Sequence, residues 1–128
     1  MGERMRIKEN RLKVLLITSC LLMVSGTAMA EQLPRLVDVG ADKCIPCIKM
    51  APILEQLRED FAGKMEVRFV DAWKNREEAA SYGVQMIPTQ IFYTADGQEL
   101  FRHTGFYGRE EILGRWRELG YDFGAGKP

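Results

Sequence analysis

The chain has 128 residues, of which 46% are hydrophobic and 28% are charged. This length and composition favour one compact globular domain and exclude a disordered or low-complexity chain. After residue 30 the chain keeps 13 Lys and Arg residues against 16 Asp and Glu residues, a net charge of −3. That balance lacks the basic patch typical of proteins that bind nucleic acid.

The first thirty residues differ from the rest of the chain. A basic stretch, residues 1–13, precedes seventeen uncharged residues that end in Ala-Met-Ala at 28–30. This order is typical of a secretory signal peptide with a small-residue cleavage site. The sequence therefore predicts a signal peptide at 1–30, an exported domain at 31–128, and a periplasmic or other extracytoplasmic location.

Two other interpretations of the first thirty residues stay open. Seventeen uncharged residues are at the short limit for a helix that crosses about 30 Å of hydrocarbon, so the segment could be an uncleaved membrane anchor. Cys20 could instead be the lipidated residue of a lipoprotein. All three interpretations place the domain outside the cytoplasm.

From residue 35 onward, strand-like and helix-like segments alternate. The apolar run 35–40 predicts a strand, and 44–63 places apolar residues at helical spacing. Residues 65–73 alternate as a second strand, and 75–83 carry N-cap and C-terminal helix signals. The first half therefore has the order β-α-β-α.

The second half predicts a hairpin and a final helix. Two β-rich runs within 91–105 are joined by Asp96-Gly97, which favours a tight turn because glycine accepts a positive φ. Residues 109–120 then place apolar side chains on one helical stripe. The whole pattern predicts an α/β domain in the order β-α-β-α-β-β-α, with a small mixed sheet flanked by helices.

Cys44 and Cys47 are the only cysteines after residue 30. Structural zinc takes four Cys or His ligands, and His103 is the only histidine, so one chain cannot supply a closed zinc site. Haem attachment requires a histidine directly after the second cysteine, but Ile48 stands there. We therefore expect no metal and no cofactor. A bridge closing so short a loop adds little stability through chain entropy, which favours a redox role.

The position of the pair at a strand-to-helix junction favours Cys44 as the reactive thiolate. Free N–H groups and the helix dipole stabilise a thiolate at a helix N-terminus, and Lys43 adds a nearby cation. Pro46 fits the first turn, where its missing N–H costs nothing. Cys47, one turn further into the helix, is the candidate resolving thiol.

The stretch "VDVGADKCIPCIKMAPILEQL", followed 44 residues after Cys44 by the proline of Ile87-Pro88-Thr89, resembles the thioredoxin superfamily from about residue 35 to 119. Pro52 inside the first helix adds to the resemblance. It implies a minimal thioredoxin fold, because only 13 residues separate the predicted cleavage site from Cys44.

The resemblance also implies a peptide groove beside the cysteines. The Ile87–Pro88 bond should be cis, and the backbone of Ile87 should pair with a bound peptide as an added strand. Gly105 lines the same groove in the family. The other residues expected to touch substrate are Lys43, Ile45 and Pro46.

Asp38 matches the buried acid of the family, which takes the proton of the resolving thiol. Its apolar neighbours should raise its pKa through burial. The alternative is a strand-end acid that reaches solvent. The chain departs from the family pattern at Gly40 and Lys43, which replace tryptophans, and at Phe69, where a lysine is frequent.

The resemblance implies an exported thiol:disulfide oxidoreductase, and we expect a monomeric protein-disulfide reductase. Its expected partners are disulfide-containing exported proteins and a membrane electron donor of the DsbD or CcdA type. A thiol oxidase or isomerase stays open as an alternative, as does a non-catalytic binding module with a permanently closed disulfide. His103 is expected on the outer face of the hairpin.

Overall fold

The computed structural model describes residues 32–126. The predicted signal peptide, its cleavage site and Cys20 lie outside the described residues. Within residues 32–126, no helix is long and apolar enough to cross a membrane. The seven elements follow the predicted order and are β1 (Arg35–Gly40), α1 (Ile45–Asp60), β2 (Glu66–Asp71), α2 (Arg76–Ser81), β3 (Thr89–Tyr93), β4 (Glu99–Thr104) and α3 (Arg109–Glu118).

The four strands form one mixed sheet in the order β2-β1-β3-β4. β1 and β2 are parallel, whereas β1 and β3, and β3 and β4, are antiparallel. The crossover through α1 permits the parallel pair, because parallel neighbours need a long connection. The predicted α/β fold class is therefore confirmed, and β1 and β3 are the central strands.

Side chains of β1 alternate between the two faces of the sheet and supply two cores. Leu36 lies in the larger core, where α1 and α3 contribute Met50 and Trp116. Val37 and Val39 lie on the opposite face in a smaller core with Ala79 of α2. Asp38, between two buried valines, therefore faces α1.

The C-terminal end of α1 and the N-terminal cap of α2 differ from the sequence prediction. α1 ends at Asp60 rather than at Gly63, which follows with a φ of 77°. Asn75 precedes α2 but makes no side-chain capping bond, and Glu78 forms an ion pair with Arg68 of β2 instead. The cross-element ion pair has replaced the local capping interaction that the sequence suggested.

The predicted hairpin is present between β3 and β4. The backbone N–H of Thr94 donates to the carbonyl of Gln98 at 2.8 Å, and Gly97 has a φ of 89°. A residue with a Cβ would be strained at that φ, so the glycine permits the tight turn. The hairpin brings β4 beside β3 and carries Gly105 to the edge of the site.

Candidate redox site

Cys44 and Cys47 form a disulfide at the start of α1, with their Cα atoms 5.1 Å apart. Cys44 is the N-cap residue in an extended conformation, and Pro46 lies in the first turn as expected. Cys44 is partly exposed, whereas Cys47 is only 3% exposed. An incoming disulfide therefore has better access to Cys44 than to Cys47.

The residues around Cys44 present a mixed surface to solvent. Lys43 is exposed, Ile45 is 72% exposed, and Pro46 is partly buried. These three predicted substrate-binding residues flank Cys44 in the chain. They surround the accessible cysteine with apolar surface and one cation.

The Ile87–Pro88 bond is cis, as predicted. Pro88 is buried and Ile87 is partly buried. The backbone N–H of Gly105 donates to the carbonyl of Pro88 at 2.8 Å, and Gly105 has a φ of 105°. The structure thus brings together three residues that the sequence assigned to one groove.

Asp38 is fully buried on the face of β1 that meets α1. Burial raises the pKa of its carboxyl to about 6, while a hydrogen bond from Gln90 acts in the opposite direction. The amide Nε2 of Gln90 donates to Oδ1 of Asp38 at 2.7 Å, and Oδ2 has no hydrogen-bond partner among residues 32–126. The alternative of a strand-end acid in solvent is therefore wrong.

Atoms of Asp38, Cys47 and the Phe69 ring converge at Gly40. A Cβ atom on Gly40 would lie 3.3 Å from Oδ2 of Asp38 and 3.3 Å from Cβ of Cys47. It would also lie 3.1 Å from a ring carbon of Phe69. The absent side chain therefore leaves the space in which the Asp38 carboxyl and Cys47 can approach each other.

A groove with a volume of about 480 Å³ opens on the Cys47 side of α1. Its apolar lining includes Ile48, Leu54 and Phe69, and Phe69 is 42% exposed. Asp42, Glu55 and Arg58 supply the charged part of its lining. Phe69, at the position where a lysine is frequent in the family, thus lines this groove with its aromatic ring.

Gln90 is a site residue that the sequence analysis missed. It is fully buried in β3 directly opposite Asp38, although its strand neighbours Ile91 and Phe92 are apolar core residues. A lone glutamine in an apolar strand is a detectable signal, since buried amides need a hydrogen-bond partner. Asp38 of β1 is that partner.

His103 lies opposite Gln90 in the register of β3 and β4. The expectation that it lies on the outer face of the hairpin is wrong, because directly paired residues share a sheet face. Its ring stacks on Tyr107 with centroids 4.1 Å apart. This aromatic contact at the α1 side of the sheet keeps the histidine partly buried.

Residues 32–126 contain no cluster of three or more His, Cys, Asp or Glu residues able to hold a metal ion. The chemistry available at the site is that of a disulfide at a helix N-terminus and a buried carboxyl group with a raised pKa. Those groups support thiol exchange, in which a thiolate attacks a disulfide sulfur.

Comparison with known proteins agrees with this chemistry. The thioredoxin family model matches residues 26–116. A thioredoxin from Staphylococcus aureus is 40% identical over 78 residues, which are 61% of this chain and 74% of that protein.

Solved structures show the same fold. Chloroplastic thioredoxin z has 26% identity and a TM-score of 0.62, with 70% of this chain and 80% of that chain covered. The germline-specific thioredoxin Deadhead from Drosophila melanogaster has 22% identity and a TM-score of 0.61, with 70% and 83% covered. Because the family match spans the sheet, the cysteine pair and the cis-proline, the chain belongs to the thioredoxin family and is a thiol:disulfide oxidoreductase.

Proposed function

We propose that this protein is an exported protein-disulfide reductase in which Cys44 attacks and Cys47 resolves. The observation that carries the proposal is the difference in burial within the pair, together with the buried carboxyl beside Cys47. The accessible sulfur meets the substrate, and the buried sulfur reacts only with its neighbour.

The proposed reaction moves two electrons from the protein to its substrate. The Cys44 thiolate attacks one sulfur of a substrate disulfide, which breaks that bond and releases the other sulfur as a thiolate. Cys47 then loses its proton to Asp38 and attacks the sulfur of Cys44. The mixed disulfide breaks, the substrate leaves as a second thiolate, and the Cys44–Cys47 disulfide forms. Solvent protonates both substrate thiolates.

The buried acid also supports the reducing direction. An ionised Asp38 near the pair disfavours a thiolate there, which destabilises the reduced protein relative to the disulfide. Ile45 and Pro46, the residues between the cysteines, are uncharged, so they supply no cation that would stabilise the thiolate. Lys43 and the helix dipole favour the thiolate, but Lys43 is exposed to solvent, which screens its charge.

The reduction potential tests the direction. Equilibration of the protein with defined ratios of reduced and oxidised dithiol should give a potential more negative than about −200 mV, nearer to thioredoxin than to DsbA. A potential near about −120 mV, with efficient oxidation of a reduced peptide, would favour the thiol oxidase alternative. A disulfide that no thiol reduces in the folded protein would favour the binding-module alternative.

The export part of the proposal rests on residues 1–30. We propose a periplasmic or other extracytoplasmic location, disulfide-containing exported proteins as substrates, and a DsbD- or CcdA-type membrane protein as electron donor. Mass spectrometry of the protein recovered from the producing cell should find Glu31 as the first residue. Recovery of a full-length membrane-bound chain would indicate an anchor, and a lipidated Cys20 terminus would indicate a lipoprotein.

A further inference from the structure

The buried amide of Gln90 makes the two oxygens of the Asp38 carboxyl unequal. Oδ1 accepts the hydrogen bond from Nε2 of Gln90 at 2.7 Å, whereas Oδ2 is buried and has no hydrogen-bond partner in the described part of the chain. Oδ2 is also the oxygen that borders the space at Gly40, and Cβ of Cys47 borders the same space. One oxygen is anchored to the sheet, and the other lies at the space shared with Cys47.

We propose that Gln90 is the positioning residue for proton transfer from Cys47, because it anchors Oδ1 and leaves Oδ2 as the proton acceptor. This inference rests on the proposed role of Asp38 in resolution. In that step the S–H bond of Cys47 breaks and an O–H bond forms at Oδ2. The resulting thiolate attacks Cys44, and the electron pair of the broken mixed disulfide leaves with the substrate sulfur.

Packing alone does not explain a glutamine at position 90. It is fully buried at the centre of the sheet, and its Oε1 has no hydrogen-bond partner within residues 32–126. A buried amide whose oxygen is unpaired is unfavourable compared with an apolar side chain of similar size. The bond to Asp38 is the interaction that an apolar residue at position 90 could not make.

Among the described residues around Asp38, Gln90 is the one that donates a hydrogen bond to its carboxyl group. The facing residue on β2 is the aromatic Phe69, and the facing residue on α1 is Cys47. Charged or titratable groups nearby on the other elements are His103 opposite Gln90, Asp71 opposite Gly40, and the groove residues Asp42, Glu55 and Arg58. Asp71, Asp42, Glu55 and Arg58 are engaged in ion pairs, and His103 stacks on Tyr107.

The amide should favour the carboxylate, because a hydrogen bond to the charged form opposes the effect of burial. Loss of the amide should therefore raise the pKa of Asp38, and the proton acceptor should be protonated over a wider range of pH. The rate of resolution should fall at acidic pH and change little at alkaline pH, where Asp38 is ionised in either protein. A packing defect would instead slow resolution at every pH.

The test replaces Gln90 with methionine, which keeps an unbranched side chain of similar length, and with leucine as a second apolar variant. The pKa of Asp38 is measured in the oxidised protein by carbon-13 NMR of the carboxyl group. Resolution is measured by stopped flow, as the second thiol released when the reduced protein reacts with an aromatic disulfide. Gln98→Leu, on the exposed hairpin turn, is the matched control.

We expect the pKa of Asp38 to rise by about one pH unit in Gln90→Met. Resolution should slow by roughly fivefold to tenfold near pH 5.5 and by less than about twofold near pH 8.5. In an Asp38→Asn background, Gln90→Met should change the rate by less than about twofold at either pH, since the two residues act as a unit. Gln98→Leu should match the wild type in both measurements.

Two results separate the failure of this inference from the failure of the proposed role of Asp38. If Asp38→Asn leaves resolution unchanged at every pH, then Asp38 is not the proton acceptor and the proposed role fails. If Asp38→Asn slows resolution but both Gln90 variants keep the wild-type pKa and pH profile, only the inference about Gln90 is overturned. Equal slowing by Gln90→Met at all pH values, with an unchanged pKa, also overturns it.

Discussion

Replacement of Asp38 by asparagine should remove a loss of stability that the oxidised protein undergoes as pH rises to neutral. Burial raises the pKa of this carboxyl from 3.8 to about 6, so ionisation is harder in the folded than in the unfolded chain. Each pH unit of difference corresponds to about 1.36 kcal/mol, which gives about 3 kcal/mol of unfolding free energy lost by pH 7. Asparagine does not ionise, so it avoids this loss and keeps an oxygen for Gln90.

The sign of the pH dependence follows from the same values. The native state holds the proton of Asp38 more tightly, so the stability from this group is complete below pH 3.8 and is lost as pH rises to about 6. Asparagine also buries an Nδ2 amide in place of the unpartnered Oδ2, at a cost that is independent of pH. The difference between variant and wild type should therefore grow by about 2 to 3 kcal/mol from pH 4 to pH 7.5.

Urea unfolding of the oxidised proteins at a series of pH values measures this difference. Glu59→Gln, which neutralises an exposed acid on α1, is the matched control and should follow the wild-type curve. A difference between Asp38→Asn and wild type that stays constant from pH 4 to pH 7.5 would refute the assignment of a raised pKa to this carboxyl. A difference that shrinks as pH rises would show that Asp38 is stabilised as a carboxylate.

Four further variants test the site. Cys47→Ser should accumulate mixed disulfides with substrates on non-reducing gels, and Cys44→Ser should accumulate none; the reverse pattern would exchange the two roles. Phe69→Lys should lower the pKa of Asp38, because it places a cation on the strand position opposite the acid, and an unchanged carboxyl titration by NMR would contradict this. Gly40→Ala should reduce the free energy of unfolding by about 1 to 3 kcal/mol, since its Cβ would lie 3.1 Å from the Phe69 ring; wild-type stability in urea would show that the ring moves aside freely.

The sequence predicted the fold and much of the site because those features depend on local patterns. Strand and helix periodicities gave the element order, and the resemblance placed the cysteine pair and the cis bond at Pro88. The burial of Asp38 also followed from its position between two valines. Each of these inferences needed only residues close together in the chain, or one known spacing.

The features that the sequence analysis missed depend on register between strands. Gln90 is paired with Asp38 across 52 positions of the chain, and nothing local to either residue gives their alignment. The expectation of an outer-face His103 comes from the usual exposure of polar side chains, and only the register of β3 and β4 shows that His103 shares the face of Gln90. Phe69 was recognised as a departure from the family, but its contact with the space at Gly40 required the parallel pairing of β1 and β2.

Asp38 and Gln90 lie on the two central strands of the sheet, β1 and β3, and this position protects their hydrogen bond from solvent. Both strands have a hydrogen-bonded neighbour on each side, so their amide hydrogens should exchange with solvent only through large openings of the domain. The cysteine pair lies outside the sheet, at the start of α1. We therefore expect the cysteines to change their bonding at one end of α1 while the hydrogen bond between Gln90 and Asp38, in the centre of the sheet, is kept.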